Sequence, residues 1–329
     1  MLVLDAADVR RALPMADAIE AMKGAFAALS SGRAVVPERI RLDVEPHGGV
    51  SLIMPAFVDD EGGGALAVKV VSLFDHNRER GLPRIQAAVL ALEADTGRPV
   101  ALLEGATLTA IRTGAASGAA TDLMARPDSR TAAILGAGVQ GRMQLEAVCT
   151  VRPIETVWVY DPAAGAVQAL VDEMAGQGPI PADLRPAADP REALAEADVV
   201  CAATTSATPV FADADLKPGA HVNAVGSYQP HVQEVPAETV VRARVVVDSR
   251  RAALAETGDL IQPIRARFIT ADHIQADLGE LVLGKAKGRT SDDEITLFKA
   301  VGVAVQDAAC ARLALARAEQ LGLGQTVRW

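Results

Sequence analysis

The apolar positions of this chain change period twice. Over residues 15–31 they recur every three or four residues, the spacing of an amphipathic helix, and Gly32 ends it. From 35 to 103 the pattern shortens to alternation or brief apolar runs, at 40–44, 50–54, 65–73, 85–93 and 99–103. Turn signals at Pro46-His-Gly-Gly49, Gly62-Gly-Gly64 and Asp95-Thr-Gly97 separate these runs. The stretch therefore predicts a mostly β domain and not a parallel sheet. Residues 107–125 read as a helix of small side chains suited to close packing. Beyond it strands alternate with helices, with strands expected at 132–135, 156–160, 199–203, 221–225 and 244–247. A short helix over 190–196 has Asp189 as its N-cap and Pro190 at its first position. The last element is expected to be one Ala-rich helix over 292–321, long enough to return to the first domain. Asp292-Asp-Glu294 would cap it and complement its dipole.

Within the alternating half, one stretch carries chemistry. Thr131-Ala-Ala-Ile-Leu runs into Gly136-Ala-Gly138-Val-Gln-Gly141, and a helix-forming segment over 142–148 follows. Gly136 permits a tight turn, Gly138 lets backbone approach a pyrophosphate, and Gly141 lets helix pack on strand. The next apolar run, Thr156-Val-Trp-Val-Tyr160, ends in Asp161, 20 residues past the last glycine. A carboxylate there meets the ribose hydroxyls of NAD. Strand, glycines, helix, strand and acid in register are a far stronger signal than the glycines alone. Asp161 also favours NADH over NADPH, because Pro162-Ala-Ala164 supply no cation for a 2′-phosphate; NADP(H) is the secondary possibility.

Composition narrows the classes. The chain has 329 residues, half of them hydrophobic, enough for two domains with substantial cores. A net charge of −10 argues against nucleic acid and anionic membranes as partners. No apolar run would span a bilayer, and the N-terminus lacks a basic region followed by an apolar core. The three cysteines, Cys149, Cys201 and Cys310, lie far apart in apolar runs and read as buried thiols of a cytoplasmic protein. The five histidines show no metal-ligand spacing, so no metal site is expected.

A second set of segments gives the chain a family resemblance. These are Met54-Pro55, Ala67-Val-Lys69-Val-Val, Gly81-Leu-Pro83, Thr109-Ala-Ile-Arg112-Thr-Gly-Ala115, Gly136 to Gly141, His221-Val-Asn-Ala-Val-Gly226, Glu256-Thr-Gly-Asp259-Leu and Gly288-Arg-Thr-Ser-Asp-Asp-Glu-Ile-Thr-Leu-Phe-Lys299. Together, and in this order, they resemble the ornithine cyclodeaminase and mu-crystallin family. Its members include ornithine cyclodeaminases, an alanine dehydrogenase, cyclic ketimine reductases and hormone-binding mu-crystallins. The resemblance implies an α/β protein: a Rossmann dinucleotide-binding domain plus a split β-rich substrate-binding and dimerisation domain, with the site between them. The expected division is 1–120 completed by 308–329, against 121–307, and the expected assembly is a homodimer.

Residue chemistry points independently to an anionic substrate. Lys69 sits in an apolar strand with few reasons to hold an ammonium; a substrate carboxylate, or alternatively an internal acid, would be its partner. Arg112 lies among small residues, where its planar fork would be accessible for a carboxylate. Alternatively it braces the domain junction. Arg39, with Arg41 beside it, is either a third carboxylate ligand or a solvated surface charge. The resemblance assigns Arg39, Lys69, Arg112 and Val301 to the substrate. It assigns the cofactor to Arg84, Arg112, Thr113, the turn residues Gly136, Gly138, Val139, Gln140 and Gly141, Asp161, Thr204, and the run Val225, Gly226, Ser227 and Tyr228. Lys69 and Tyr228 are the candidate catalytic residues.

Three departures from the family pattern matter. Tyr228 stands where the cyclodeaminases carry an aspartate that takes part in deamination and ring closure. Tyr228, Lys69 or a water would then supply a proton to an imine nitrogen, unless Tyr228 is only a pocket wall. Ala300 precedes Val301-Gly302 where a serine beside the nicotinamide is common. Arg84 follows Gly-Leu-Pro83 where a small hydroxyl residue contacts the cofactor phosphate; Arg84 either replaces that contact or is solvated. The resulting expectation is NADH-dependent reduction of Δ1-pyrroline-2-carboxylate or Δ1-piperideine-2-carboxylate to L-proline or L-pipecolate. The alternatives are ornithine cyclodeamination with bound NAD, an alanine-type dehydrogenase, and a non-catalytic mu-crystallin-like binder.

Overall fold

The computed structural model describes residues 1–59 and 63–328. Gly62, which opens the Gly62–Gly64 turn signal, and Trp329, the end of the expected split domain, lie outside the described residues. The chain forms β1 (Leu2–Leu4), α1 (Ala6–Ala12), α2 (Met15–Ser30), β2 (Ala34–Val35), β3 (Ile40–Val44), β4 (Gly49–Val58), β5 (Ala65–Phe74), β6 (Ile85–Leu92), β7 (Pro99–Glu104) and α3 (Gly105–Met124). There follow β8 (Thr131–Leu135), α4 (Val139–Val151), β9 (Thr156–Tyr160), α5 (Ala164–Met174), β10 (Leu184–Pro186), α6 (Pro190–Leu194), β11 (Val199–Ala202), β12 (His221–Ala224), α7 (Ala237–Arg242) and β13 (Arg244–Val247). The chain ends in α8 (Arg250–Glu256), α9 (Gly258–Arg265), β14 (Ile274–Asp277), α10 (Leu278–Val282), β15 (Thr296–Lys299), α11 (Ala304–Leu321) and β16 (Gln325–Thr326). Two compact units result, Met1–Arg112 with Val303–Trp329, and Thr113–Gly302. Both boundaries fall earlier than residues 120 and 307: the first lies inside α3, the second at Gly302, whose φ of +84° turns the chain into α11.

The first unit is built on a sheet ordered β16-β1-β7-β6-β5-β4-β2, with β3 also on β4. It is antiparallel except for the β1–β7 pair. Alternation decides its faces. In β5 the side chains of Ala65, Ala67, Lys69, Val71 and Leu73 are buried, while Val70 on the opposite face is 42% exposed. Helix α11 packs over β4 and β5 and against α2. Its inward stripe is Ala304, Asp307, Ala311, Ala314 and Ala318, at the 3–4 spacing of one helical face, and all five are buried.

The second unit holds an all-parallel sheet ordered β10-β9-β8-β11-β12-β15-β13-β14. Its first five strands have the 3-2-1-4-5 order of a doubly wound dinucleotide-binding sheet. Burial on both faces explains its continuous apolar strands. Ala133, Leu135, Val200 and Val222 enter one core cluster, and their neighbours Ala132, Ile134, Val199 and Cys201 enter the other. Strand order reverses between β8 and β11, which puts the ligand crevice beyond the carboxyl ends of these two strands. Arg152 donates to the carbonyls of Thr121, Asp122, Ala125 and Arg126, closing the C-terminal end of α3.

One expected element is wrong. Residues 292–299 are not helical: Thr296–Lys299 is β15, wedged between β12 and β13, and the helix starts at Ala304. Asp292, Asp293 and Glu294 therefore cap nothing of α11. Glu294 instead accepts from the Thr290 N–H and from Arg244. The physical reason is that β15 is buried on both faces, so it shows no alternation to separate it from the apolar helix behind it.

Candidate active site

In the first unit, Lys69 is 1% exposed, and its ammonium donates to Asp307 Oδ1 at 2.9 Å and lies 2.7 Å from Oδ2. Arg112 Nε is ion-paired to the same Oδ1 at 3.3 Å. Arg112 Nη1 also donates to Gln306 Oε1 at 3.0 Å. The Arg112 head is thus buried and held, not openly accessible as its small neighbours suggested. The internal acid weighed as a partner for Lys69 is present. The charges do not balance, however: two buried cations share one carboxylate, and half-buried Arg39 adds positive potential at Lys69. Burial lowers the Lys69 pKa from 10.5 to about 8, with Asp307 opposing and Arg112 and Arg39 reinforcing that shift. An excess cation in an apolar interior is a site for an anion, and a lysine near this pKa can give up a proton at physiological pH.

The second unit presents the dinucleotide features. Gly136 has φ +101°, and a Cβ there would lie 2.6 Å from the Ala203 carbonyl oxygen beyond β11, so only glycine fits this turn between β8 and α4. At Gly141 a Cβ would fall 1.9 Å from the Gly136 oxygen. Gly138, by contrast, faces open space, and no side chain caps the N-terminus of α4 that begins at Val139. That leaves room and donors for an anion. Asp161 accepts from Ala137 N–H at 2.9 Å and from Ala163 N–H at 2.8 Å, which fixes its carboxylate beside the turn with lone pairs to spare. These residues fit a bound NAD(H): a turn open at Gly138, a helix start without a side-chain cap and a braced acid.

The loops after β11 and β12 are tied together from below. Glu234, wholly buried, accepts from Thr204 N–H at 2.6 Å and Gly226 N–H at 2.8 Å. Lys299 Nζ lies 2.8 Å from Asp259 Oδ2, and Asp259 Oδ1 accepts from the N–H groups of Glu234 and Val235. Burial raises the Glu234 pKa, and the nearby Lys299 charge opposes this. Ser227 donates to the Val232 carbonyl, and Val225 N–H to that of Ala202. Half-buried Tyr228 follows on the same loop. Asp248 accepts from Val301 and Gly302 N–H groups and so sets the loop after β15.

The sequence profile of the ornithine cyclodeaminase/mu-crystallin family matches residues 1–321. The chain belongs to this family. Among its relatives, a Delta(1)-pyrroline-2-carboxylate reductase of Bacillus cereus is 39% identical over 330 residues, all of both chains. Among solved structures, Delta(1)-pyrroline-2-carboxylate reductase of Thermococcus litoralis, in complex with NADH and L-proline, is similar with a TM-score of 0.94. It is 43% identical, covering 99% of this chain and 100% of that one. An archaeal alanine dehydrogenase dimer with bound NAD has a TM-score of 0.91 at 31% identity, covering 100% of this chain and 99% of that one.

Within this family frame, the site residues read from sequence divide by unit. Lys69, Arg112 and Arg39 converge in the first. Thr113, the glycine-turn residues, Asp161, Thr204, the run from Val225 to Tyr228, and Val301 belong to the second. Arg84 is neither free nor simply solvated: its Nε donates to Asp75 Oδ1 at 2.7 Å. Asp307, Gln306, Glu234, Lys299 and Asp248 were not assigned roles from sequence. Asp307 had a usable signal, a lone acid in the inward stripe of an Ala-rich helix. Among the described residues no cluster of His, Cys, Asp or Glu could hold a metal ion, and no helix is long and apolar enough to cross a membrane.

Proposed function

We propose that this chain reduces a cyclic ketimine carboxylate, Δ1-pyrroline-2-carboxylate or Δ1-piperideine-2-carboxylate, to L-proline or L-pipecolate with NADH. The observation that carries this reading is the buried excess of positive charge at Lys69 and Arg112, balanced only in part by Asp307. A substrate carboxylate completes the balance, and the guanidinium fork orients it. Bound NADH supplies the hydride for the imine carbon. Lys69, with its pKa near 8, gives its ammonium proton to the imine nitrogen as that carbon is reduced. Arg39 adds positive potential at the carboxylate. The glycine turn takes the pyrophosphate and Asp161 the adenosine ribose. The named relatives support the same substrate class.

Tyr228 separates this reading from cyclodeamination, since no carboxylate stands at that position to shuttle protons between amines. The test offers NADH with each cyclic imine and follows nicotinamide absorbance. A parallel reaction offers ornithine with catalytic NAD and follows ammonia. Rapid ornithine-to-proline conversion without net NADH change would overturn the reading.

The working assembly we infer is a homodimer. Ile40, Ile53 and Val70 are register neighbours on the outward face of the first unit's sheet, with Ile40 59% and Val70 42% exposed. An apolar row of this kind suits a second copy of the chain. Light scattering should give twice the chain mass, and Val70→Lys should lower it; a monomeric wild type would refute the inference.

A further inference from the structure

Gln306 and Asp307, adjacent at the start of α11, are wholly buried, yet neither is assigned to substrate or cofactor above. Gln306 Oε1 is fixed by two donors, Val303 N–H at 2.9 Å and Arg112 Nη1 at 3.0 Å. Asp307 takes the Nε edge of the same guanidinium at 3.3 Å and the Lys69 ammonium at 2.7 Å. The guanidinium is thus held at two edges by neighbouring residues of one helical turn. Asp307 alone links it to the lysine, which comes from a strand 238 residues away in sequence. Long cationic side chains otherwise carry rotamer freedom, and the Arg112 charge acts against the Lys69 ammonium.

We propose that Asp307 is the positioning residue of this site: it fixes the spacing of Lys69 and Arg112 and keeps the Lys69 ammonium charged for proton transfer. This rests on the reductase reading above. The charged groups acting on Lys69 come from three segments: Asp307 on α11 favours the ammonium, while Arg112 on α3 and Arg39 ahead of β3 oppose it. Cys310, also on α11, is neutral, its thiol pushed up to about 12 by burial. Asp307 is therefore the only group among them that offsets burial.

The test compares wild type, Asp307→Asn, Lys69→Met and the double variant in the full chain. NMR of the Lys69 ε-carbon, assigned with Lys69→Met, reads its ionisation without turnover. In Asp307→Asn the Lys69 titration and the basic limb of kcat/KM should both move down, by roughly one pH unit or more, the usual effect of losing a close opposite charge. Activity should recover as pH is lowered, which a merely structural lesion would not allow. Asp307→Glu should restore the limb. The double variant removes both members of the Lys69 ion pair and leaves Arg112 with Gln306. Its loss relative to Lys69→Met should be smaller than the loss of Asp307→Asn relative to wild type, and Asp307→Glu, which keeps the charge, carries the comparison where Asp307→Asn folds poorly. An unmoved Lys69 titration, or a loss from Asp307→Asn as large on the Lys69→Met background as on wild type, would overturn the proposal. Failure of wild type to reduce either cyclic imine would instead overturn the reductase reading, and the NMR titration would still judge Asp307.

Discussion

Replacing Lys69 by Met keeps the length of the side chain and removes its charge and its proton. Arg112 and Asp307 then neutralise each other, at 3.3 Å, and the excess charge that calls for an anion disappears. A charge-assisted hydrogen bond to the substrate carboxylate is worth about 1.5–3 kcal/mol, or roughly ten- to a hundredfold in kcat/KM. Loss of a positioned proton donor costs about 10²–10⁴-fold, and the two effects overlap in part. The expected loss in kcat/KM near neutral pH is therefore at least about 100-fold, with much of it in kcat. The fold should survive. Stripping one partner from a buried pair usually costs about 3–5 kcal/mol, but here the remaining carboxylate keeps a guanidinium. Thermal melting and NADH fluorescence titration check that point. In wild type, kcat/KM should fall as pH rises past about 8, where the Lys69 ammonium is lost, and the Met variant should lack this limb. A Lys69→Met enzyme within about tenfold of wild type would refute both the anion-site argument and the proton assignment.

Three further outcomes are expected. Asp161→Ser with Pro162→Arg should shift preference towards NADPH, read as the ratio of kcat/KM for the two cofactors; a wild type already faster with NADPH would contradict the role of Asp161. Tyr228→Phe should leave the imine reduction rate within a few-fold, since Lys69 carries the proton; a large loss of kcat with substrate KM unchanged would move the donor to Tyr228. His221 is held neutral in the fold, its pKa pulled down to about 3 by burial and then by the Arg289 charge. The stability this gives is complete above the unfolded value of about 6.5 and is lost as pH falls towards 3, by about 1.4 kcal/mol per unit. Urea midpoints of His221→Gln should fall less steeply over that window; parallel pH curves would show that His221 is not the titrating group.

Legibility from sequence followed how each side chain meets its surroundings. The β8, β9, β11 and β13 strands are largely apolar runs, and the apolar run of β5 made the Lys69 ammonium stand out. β15 was hidden because both its faces are buried and the apolar pattern continues into α11. β10, Leu-Arg-Pro, and β14, Ile-Gln-Ala-Asp, mix polar with apolar residues and carry too little apolar pattern to register. The glycine turn and Asp161 were visible because a close backbone approach excludes side chains and leaves a fixed spacing. The roles of Asp307 and Glu234 were not, because Asp307 meets Lys69 and Arg112 only in the fold, and Glu234 meets backbone N–H groups of two separate loops. Lys69 did announce that it needed a counter-charge; only the fold shows that the chain supplies half of it and leaves the rest open.

The separation of 238 residues between Lys69 and Asp307 also bears on how the protein is made. A nascent chain presents β5 long before α11 leaves the ribosome, so the first unit waits with a lysine in its apolar face and no counter-ion. The parallel-sheet unit, encoded in one continuous stretch, can close on its own schedule. Arrival of α11 then supplies at once the helix that covers β4 and β5 and the acid that settles the lysine. Docking of this helix should be the late, slow event of refolding, and a chain truncated before residue 303 should be held by chaperones rather than accumulate as a stable half-enzyme.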